Sequence, residues 1–141
     1  MDSSEVAKRC ADAMYAQDAA SKALGIEVDV REAGEAVAQM TVRDDMVNGF
    51  GVCHGGLLFT LADTAFAFAC NGYDDRTFAA AASIDFMRPA ILGDELRAFA
   101  REDYRGSKSG FYTVEVRNQR DEVVAMFRGR SARRGERLLK P

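Results

Sequence analysis

The sequence predicts an α+β fold: a curved antiparallel sheet wrapped around one long central helix, preceded by an N-terminal helix. Three observations carry that expectation. Residues 54–73 hold no charged side chain except Asp63 and, at their start, His54, so a helix there is apolar on nearly all faces and belongs inside the molecule. After it, apolar and polar residues alternate in successive runs as far as residue 131, separated by turn signals. Before it, residues 4–24 are rich in alanine and free of glycine and proline, a helical composition.

In chain order, the first helix is expected over 4–24, with Ser4 as its N-cap and Gly25 as its terminator. Ile26, Val28 and Val30 alternate with Glu27, Asp29 and Arg31 as a strand, and Gly34-Glu35 turns the chain into a second strand, Ala36 to Val42. Residues 44–53 form a loop marked by Asn48-Gly49 and Gly51. The buried helix spans Gly55 to Asn71 and is closed by Gly72. Strands follow from Thr77 to Arg88, where Pro89 intervenes, and from Gly93-Asp94 to about Tyr104. A turn over 106–110 leads to the strand holding Tyr112, Val114 and Val116, and a second turn over 118–122 leads to Val123–Ser131. The basic tail from Arg133 is expected to fray. Without a repeat, low-complexity block or linker, residues 1–141 are read as one domain, large enough to bury roughly two thirds of its unfolded surface.

Composition narrows the function. A hydrophobic content of 48% and only two prolines describe a folded globule. The formal net charge of -3 gives no basic balance, which argues against nucleic acid as a partner. Three cysteines, Cys10, Cys53 and Cys70, lack metal-site spacing, and one histidine cannot complete a ligand set. No metal is therefore expected, the odd cysteine count favours a reducing cytoplasm, and Cys53 and Cys70 read as small buried hydrophobes. The start of the chain lacks a basic region followed by an apolar core, so no secretory signal is read. A membrane span is excluded because the apolar run is short and Asp63 sits near its middle.

Asp63 carries the chemistry. A carboxylate in a buried apolar helix loses hydration, which is costly unless it is hydrogen-bonded or protonated. It is therefore either an acceptor for some buried polar group or a chemical tool. As a tool it activates water as a general base or attacks a carbonyl to form a mixed anhydride. Either route needs a polarised carbonyl, and the N–H of Gly55 or Gly56 at the helix N-terminus is a suitable donor. His54 at this glycine-flanked helix start fits contact with a ligand better than the base of a Ser-His-Asp triad. His54 and Asp63 are nine residues apart, roughly 2.5 turns and 13 Å, hence on opposite faces of one helix. If both act on one thioester carbon, Asp63 of one subunit must meet Gly55 of another across a dimer interface. Gly106-Ser-Lys-Ser-Gly110 is neither a nucleophile elbow nor a phosphate-binding loop, and reads as a hairpin turn.

The stretch Asn48-Gly-Phe-Gly-Val-Cys-His-Gly-Gly-Leu-Leu-Phe-Thr-Leu-Ala-Asp63-Thr-Ala closely resembles the hotdog-fold acyl-CoA thioesterases, in particular the PaaI type of bacterial phenylacetate degradation. The likeness continues through Ser83-Ile-Asp-Phe-Met-Arg-Pro89 and Phe127-Arg-Gly-Arg-Ser131. The resemblance implies a hotdog fold and a hydrolase that splits acyl-CoA, with coenzyme A part of the substrate and no separate cofactor. It implies Asp63 as base or nucleophile, the Gly55 amide on the thioester carbonyl, and His54 and Asn48 orienting the loop, the thioester or the lytic water. Gly56, Thr64 and Ser83 join the substrate-binding set by the same likeness. Arg88-Pro89 and Lys108 are candidates for pantetheine or phosphate contact, each equally readable as solvated surface. The resemblance also implies homodimers with a continuous sheet, usually paired into tetramers, and an aryl or hydroxylated arylacetyl substrate.

One departure stands out. Many relatives place a Ser or Thr on the strand after the helix, where this chain has Phe78-Ala-Ala-Ala-Ala82, so that this helper is missing or is replaced by Ser83 or Thr77. Phe59, Phe66, Phe68 and Tyr73 are read as core or as pocket lining. Two rival functions share the fold: a non-catalytic acyl-CoA-binding module, and a thioesterase acting on acyl-carrier-protein thioesters.

Overall fold

A computed structural model describes residues 1–140. The N-terminal segment forms two helices where one was expected, α1 (Ser3–Ala16) and α2 (Ala19–Ala23). Asp18 causes the break. Its carboxylate accepts from the Ser21 amide at 3.0 Å and the Ser21 hydroxyl at 2.7 Å, starting a new helix and ending the old one. The cap of α1 is Asp2, which accepts from the Glu5 amide at 2.9 Å; Ser4, the expected cap, donates its hydroxyl to the same carboxylate. Gly25, at φ +70, closes α2 as its composition predicts.

Six strands form one antiparallel sheet: β1 (Glu27–Asp29), β2 (Glu35–Thr41), β3 (Thr77–Phe86), β4 (Glu95–Arg105), β5 (Ser109–Arg117) and β6 (Val123–Arg133). Their spatial order is β1-β2-β4-β5-β6-β3, so the first strand after the central helix lies at the far edge. The central helix, α3 (Gly55–Cys70), crosses one face of this sheet, giving the hotdog arrangement that the resemblance implies.

The direction of α3 follows from three packing levels. Gly55 lies against Phe86, whose register partner is Ala125. Phe59 meets Phe127, the partner of Ile84, with ring centroids 5.3 Å apart. Phe66 lies on Gly129, the partner of Ala82, so closely that a Cβ at 129 would stand 2.8 Å from the ring. The helix thus runs opposite to β3, with its N-terminus at the Phe86 end. At its other end, the Asn71 side chain donates to the Ala67 and Thr77 carbonyls and accepts from the Thr77 amide.

Two polar ties escape a reading of periodicity. Glu102, on the helix-facing side of β4, accepts from the Tyr73 hydroxyl at 2.8 Å and the Tyr112 hydroxyl at 2.7 Å. The tail, expected to fray, is drawn back onto Asp74, which accepts from the Leu138 and Leu139 amides at 3.1 and 2.7 Å and pairs with Arg137. Pro141 lies outside the described residues.

Candidate active site

The loop before α3 is organised by Asn48. Its Oδ1 accepts from the Phe50 amide at 2.9 Å and the Val52 amide at 3.4 Å, while its own amide donates to the Val52 carbonyl. This Asx-type closure needs a left-handed residue, supplied by Gly51 at φ +76. The loop is joined to the strand-end segment by the Cys53 amide on the Ala90 carbonyl, at 2.7 Å, and by a bridge between Val52 and Ile91.

His54 is the N-cap of α3, yet its imidazole makes no capping bond and is exposed. Its carbonyl accepts from Leu57 and Leu58. The preceding amides, of Gly55 and Gly56, are among the helix donors with no intrahelical acceptor. Neither donates to a loop or side-chain acceptor among the described residues. Gly55 lies in a depression of about 400 Å³ that also brings together Asn48, Arg88 and Pro89. Its remaining walls are apolar: Val52, Cys53, Leu58, Phe86, Met87 and Ala90. His54 and Gly56 face a separate depression of about 310 Å³ with Asp45 and Met46. The Gly-Gly pair therefore divides its two glycines between two depressions.

Asp63 stands roughly 12 Å along α3 from Gly55. Beyond its first turn α3 is buried everywhere except at Phe59, Thr60, Asp63 and Ala67, which form one open stripe. Thr60 and Thr64 turn their hydroxyls back onto the Gly56 and Thr60 carbonyls, at 2.9 and 2.7 Å, so neither serves the acid. Among the described residues the Asp63 carboxylate has no hydrogen bond and no ion pair, and it is half-buried. Desolvation raises its pKa above the ordinary carboxylate value. The alternative of an acceptor for a buried polar group has no donor among the described residues.

The remaining candidates are spread out. Ser83 is opposite Arg128 in register and shares its outward orientation, on the face of the sheet away from α3. Thr77, the other possible replacement, donates its hydroxyl to the Asp75 carbonyl near the end of α3 remote from Gly55. Arg88 is ion-paired with Glu122. Lys108 lies in the β4–β5 turn beside Arg133, at the Thr77 end of β3, and so far from Gly55 in the same chain. Phe66 and Phe68 are core, and Tyr73 is bound to Glu102. Phe86 and Met87, which no sequence argument singled out, wall the Gly55 depression.

Among the described residues no three His, Cys, Asp or Glu side chains converge on a point. The cysteines are free and buried, and burial pushes the Cys70 thiol up to about 12. No helix among the described residues is long and apolar enough to cross a membrane. A cavity of about 580 Å³ lined by Glu27, Gln39, Arg97 and Arg117 is on the outer face of the sheet, remote from Asp63.

Residues 50–125 match the model of the thioesterase superfamily. The chain is 50% identical over 125 residues, 89% of either chain, to the acyl-coenzyme A thioesterase PaaI of Escherichia coli strain K12. The solved structure of the E. coli PaaI protein from the phenylacetic acid degradation operon superposes with a TM-score of 0.94 at 47% identity, covering 96% of this chain and 99% of that one. A mutant of the phenylacetic acid degradation protein PaaI from Thermus thermophilus gives a TM-score of 0.77 at 36% identity, over 81% and 97%.

Proposed function

Because the chain belongs to the thioesterase superfamily, we propose that it hydrolyses acyl-CoA to the free acid and coenzyme A, with Asp63 of one subunit and the Gly55 amide of another at each site. The observation that carries this reading is the unpartnered Asp63 carboxylate on the one open stripe of a buried helix. A binding module would gain nothing from a desolvated acid there, whereas a hydrolase needs a base held away from competing donors.

Two balanced routes use these groups. In the first, Asp63 takes a proton from water while the oxygen attacks the thioester carbon; the C–S bond then breaks and the proton passes to the leaving thiolate. In the second, the carboxylate attacks the carbon, thiolate leaves, and water hydrolyses the mixed anhydride. In both, the Gly55 N–H, at a helix N-terminus, stabilises charge developing on the carbonyl oxygen. One turnover in ¹⁸O-water identifies the second route where water attacks the aspartyl carbon of the anhydride: the first product acid then carries an unlabelled Asp63 oxygen and the label enters Asp63, whereas the general-base route always labels the acid.

The likeness to proteins of phenylacetate degradation supports an aryl or hydroxylated arylacetyl substrate. Asn48 holds the loop in register with the site, His54 and Gly56 flank the Gly55 amide, and Thr64, its hydroxyl on the Thr60 carbonyl, supports the helix beside Asp63. Ser83 and Lys108 are assigned to the coenzyme A portion across subunits, whereas Arg88 and Pro89 line the Gly55 depression. The buried free thiols suit a cytoplasmic protein. The exposed edge of β3 suits a homodimer with a continuous sheet, and such dimers would pair into tetramers. Asp63→Ala and Asp63→Asn should lower kcat by about 10²–10⁴ with acyl-CoA binding kept. Thiol release at near wild-type rate by purified Asp63→Ala would refute the assignment.

A further inference from the structure

Phe86 closes on Gly55 as tightly as packing allows. A Cβ added at Gly55 would lie 3.0 Å from its Cζ and 3.4 Å from its Cε1, so the ring rests on the first turn of α3 beside the free amide. Its backbone is fixed: Phe86 pairs with Ala125, and the next two amides, of Met87 and Arg88, both donate to the Val124 carbonyl, at 2.8 and 3.3 Å. Yet the side chain is 54% exposed, and its ring forms one wall of the depression of about 400 Å³ that contains Gly55. An exposed aromatic held against a glycine by a rigid strand is a surface made to be covered.

We propose that Phe86 is a specificity-determining residue, the flat wall against which the acyl group packs just beyond the thioester carbonyl. This rests on the thioesterase reading above. The depression offers Val52, Leu58, Phe86, Met87 and Ala90 but only Asn48 and Arg88 as polar side chains. The amides of a pantetheine arm need more polar partners than these, whereas an acyl tail needs none. A planar wall favours a planar guest, since ring pairs gain from offset or edge contacts that a flexible alkyl chain does not make. The absence of a side chain at 55 then serves two purposes, amide access and a seat for the ring.

The test compares kcat/KM for phenylacetyl-CoA and hexanoyl-CoA, by thiol release, in wild type, Phe86→Ala, Phe86→Leu and Phe86→Tyr. The ratio of aryl to alkyl substrate should fall about 10-fold or more in Phe86→Ala and Phe86→Leu and hold within about 2-fold in Phe86→Tyr, the scale of discrimination a single apolar wall provides. A purely structural role would slow both substrates by the same factor. Should Phe86→Ala not fold, Phe86→Leu against Phe86→Tyr makes the same comparison. An unchanged ratio in the folded Leu variant overturns the role of Phe86 alone. Failure of the wild-type protein to release thiol from any acyl-CoA overturns the thioesterase reading, and this inference with it.

Discussion

At the scale of residues, Asp63 has a cost that is separately measurable. Its pKa is raised by desolvation, so the folded state binds its proton more tightly than the unfolded chain does. Stability from this group is complete below the ordinary carboxylate value of 3.8 and is lost as pH rises through the elevated folded value. Asp63→Asn should therefore raise the melting temperature at pH 7, with the difference shrinking towards pH 4, while lowering kcat by about 10²–10⁴. The same shift places the acid limb of the kcat/KM profile above the usual carboxylate range, since either route needs the ionised form. A melting temperature lower than wild type at pH 7 would mean that the carboxylate has a partner it cannot lose. Asp63 and the two glycines were legible in the sequence because a lone charge in an apolar helix has few explanations. Phe86 was not, because its approach to Gly55 depends on the register of β3 against β6, which shifts between Ala79 and Ala81.

At the scale of elements, α3 is held by close approach as well as by burial. Gly129 and Phe66 show this best: the ring is buried, lies 5.4 Å from Tyr112 and 5.7 Å from Phe127 between centroids, and has nowhere to turn. Gly129→Ala should cost about 1–3 kcal/mol of stability in denaturant unfolding, from overpacking. Phe66→Leu combined with it should recover part of that loss, because the two sites share one contact. Full additivity of the pair would contradict the packing described. Sequence periodicity located α3 and all six strands within a few residues, since periods of 3.6 and 2 are both distinct in this chain. It missed the division at Asp18, because alanine-rich segments on both sides favour helix and only a local side-chain bond separates them. The short β1 retains only the centre of the alternation in residues 26–31.

At the scale of the whole molecule, the structure presents an edge that calls for a partner. β3 is ten residues long, ends the sheet, and is buried only at Thr77, with Phe78 46% and Phe86 54% exposed. It carries neither the lysine nor the proline with which proteins blunt such edges. Pairing two copies there is the proposed route by which the open stripe of one α3 meets the Gly55 amide of the other. The sequence pointed to a shared site through the opposite faces of His54 and Asp63. It was silent on which strand would be the edge, because the crossover from α3 to the far side of the sheet leaves no local signal. A complementation experiment tests the shared site most directly. Gly55→Pro removes the amide donor at a helix position whose backbone tolerates proline, with the half-exposed Phe86 ring displaced from its seat, and His54, at ψ 133, already has the conformation that precedes proline. Asp63→Asn and Gly55→Pro should each be inactive alone. Dissociated, mixed in equal amounts and reassociated, they should recover about one quarter of wild-type thiol release, since half the dimers then hold one intact site of two. A mixture no more active than its separate parents would contradict a site built from two chains.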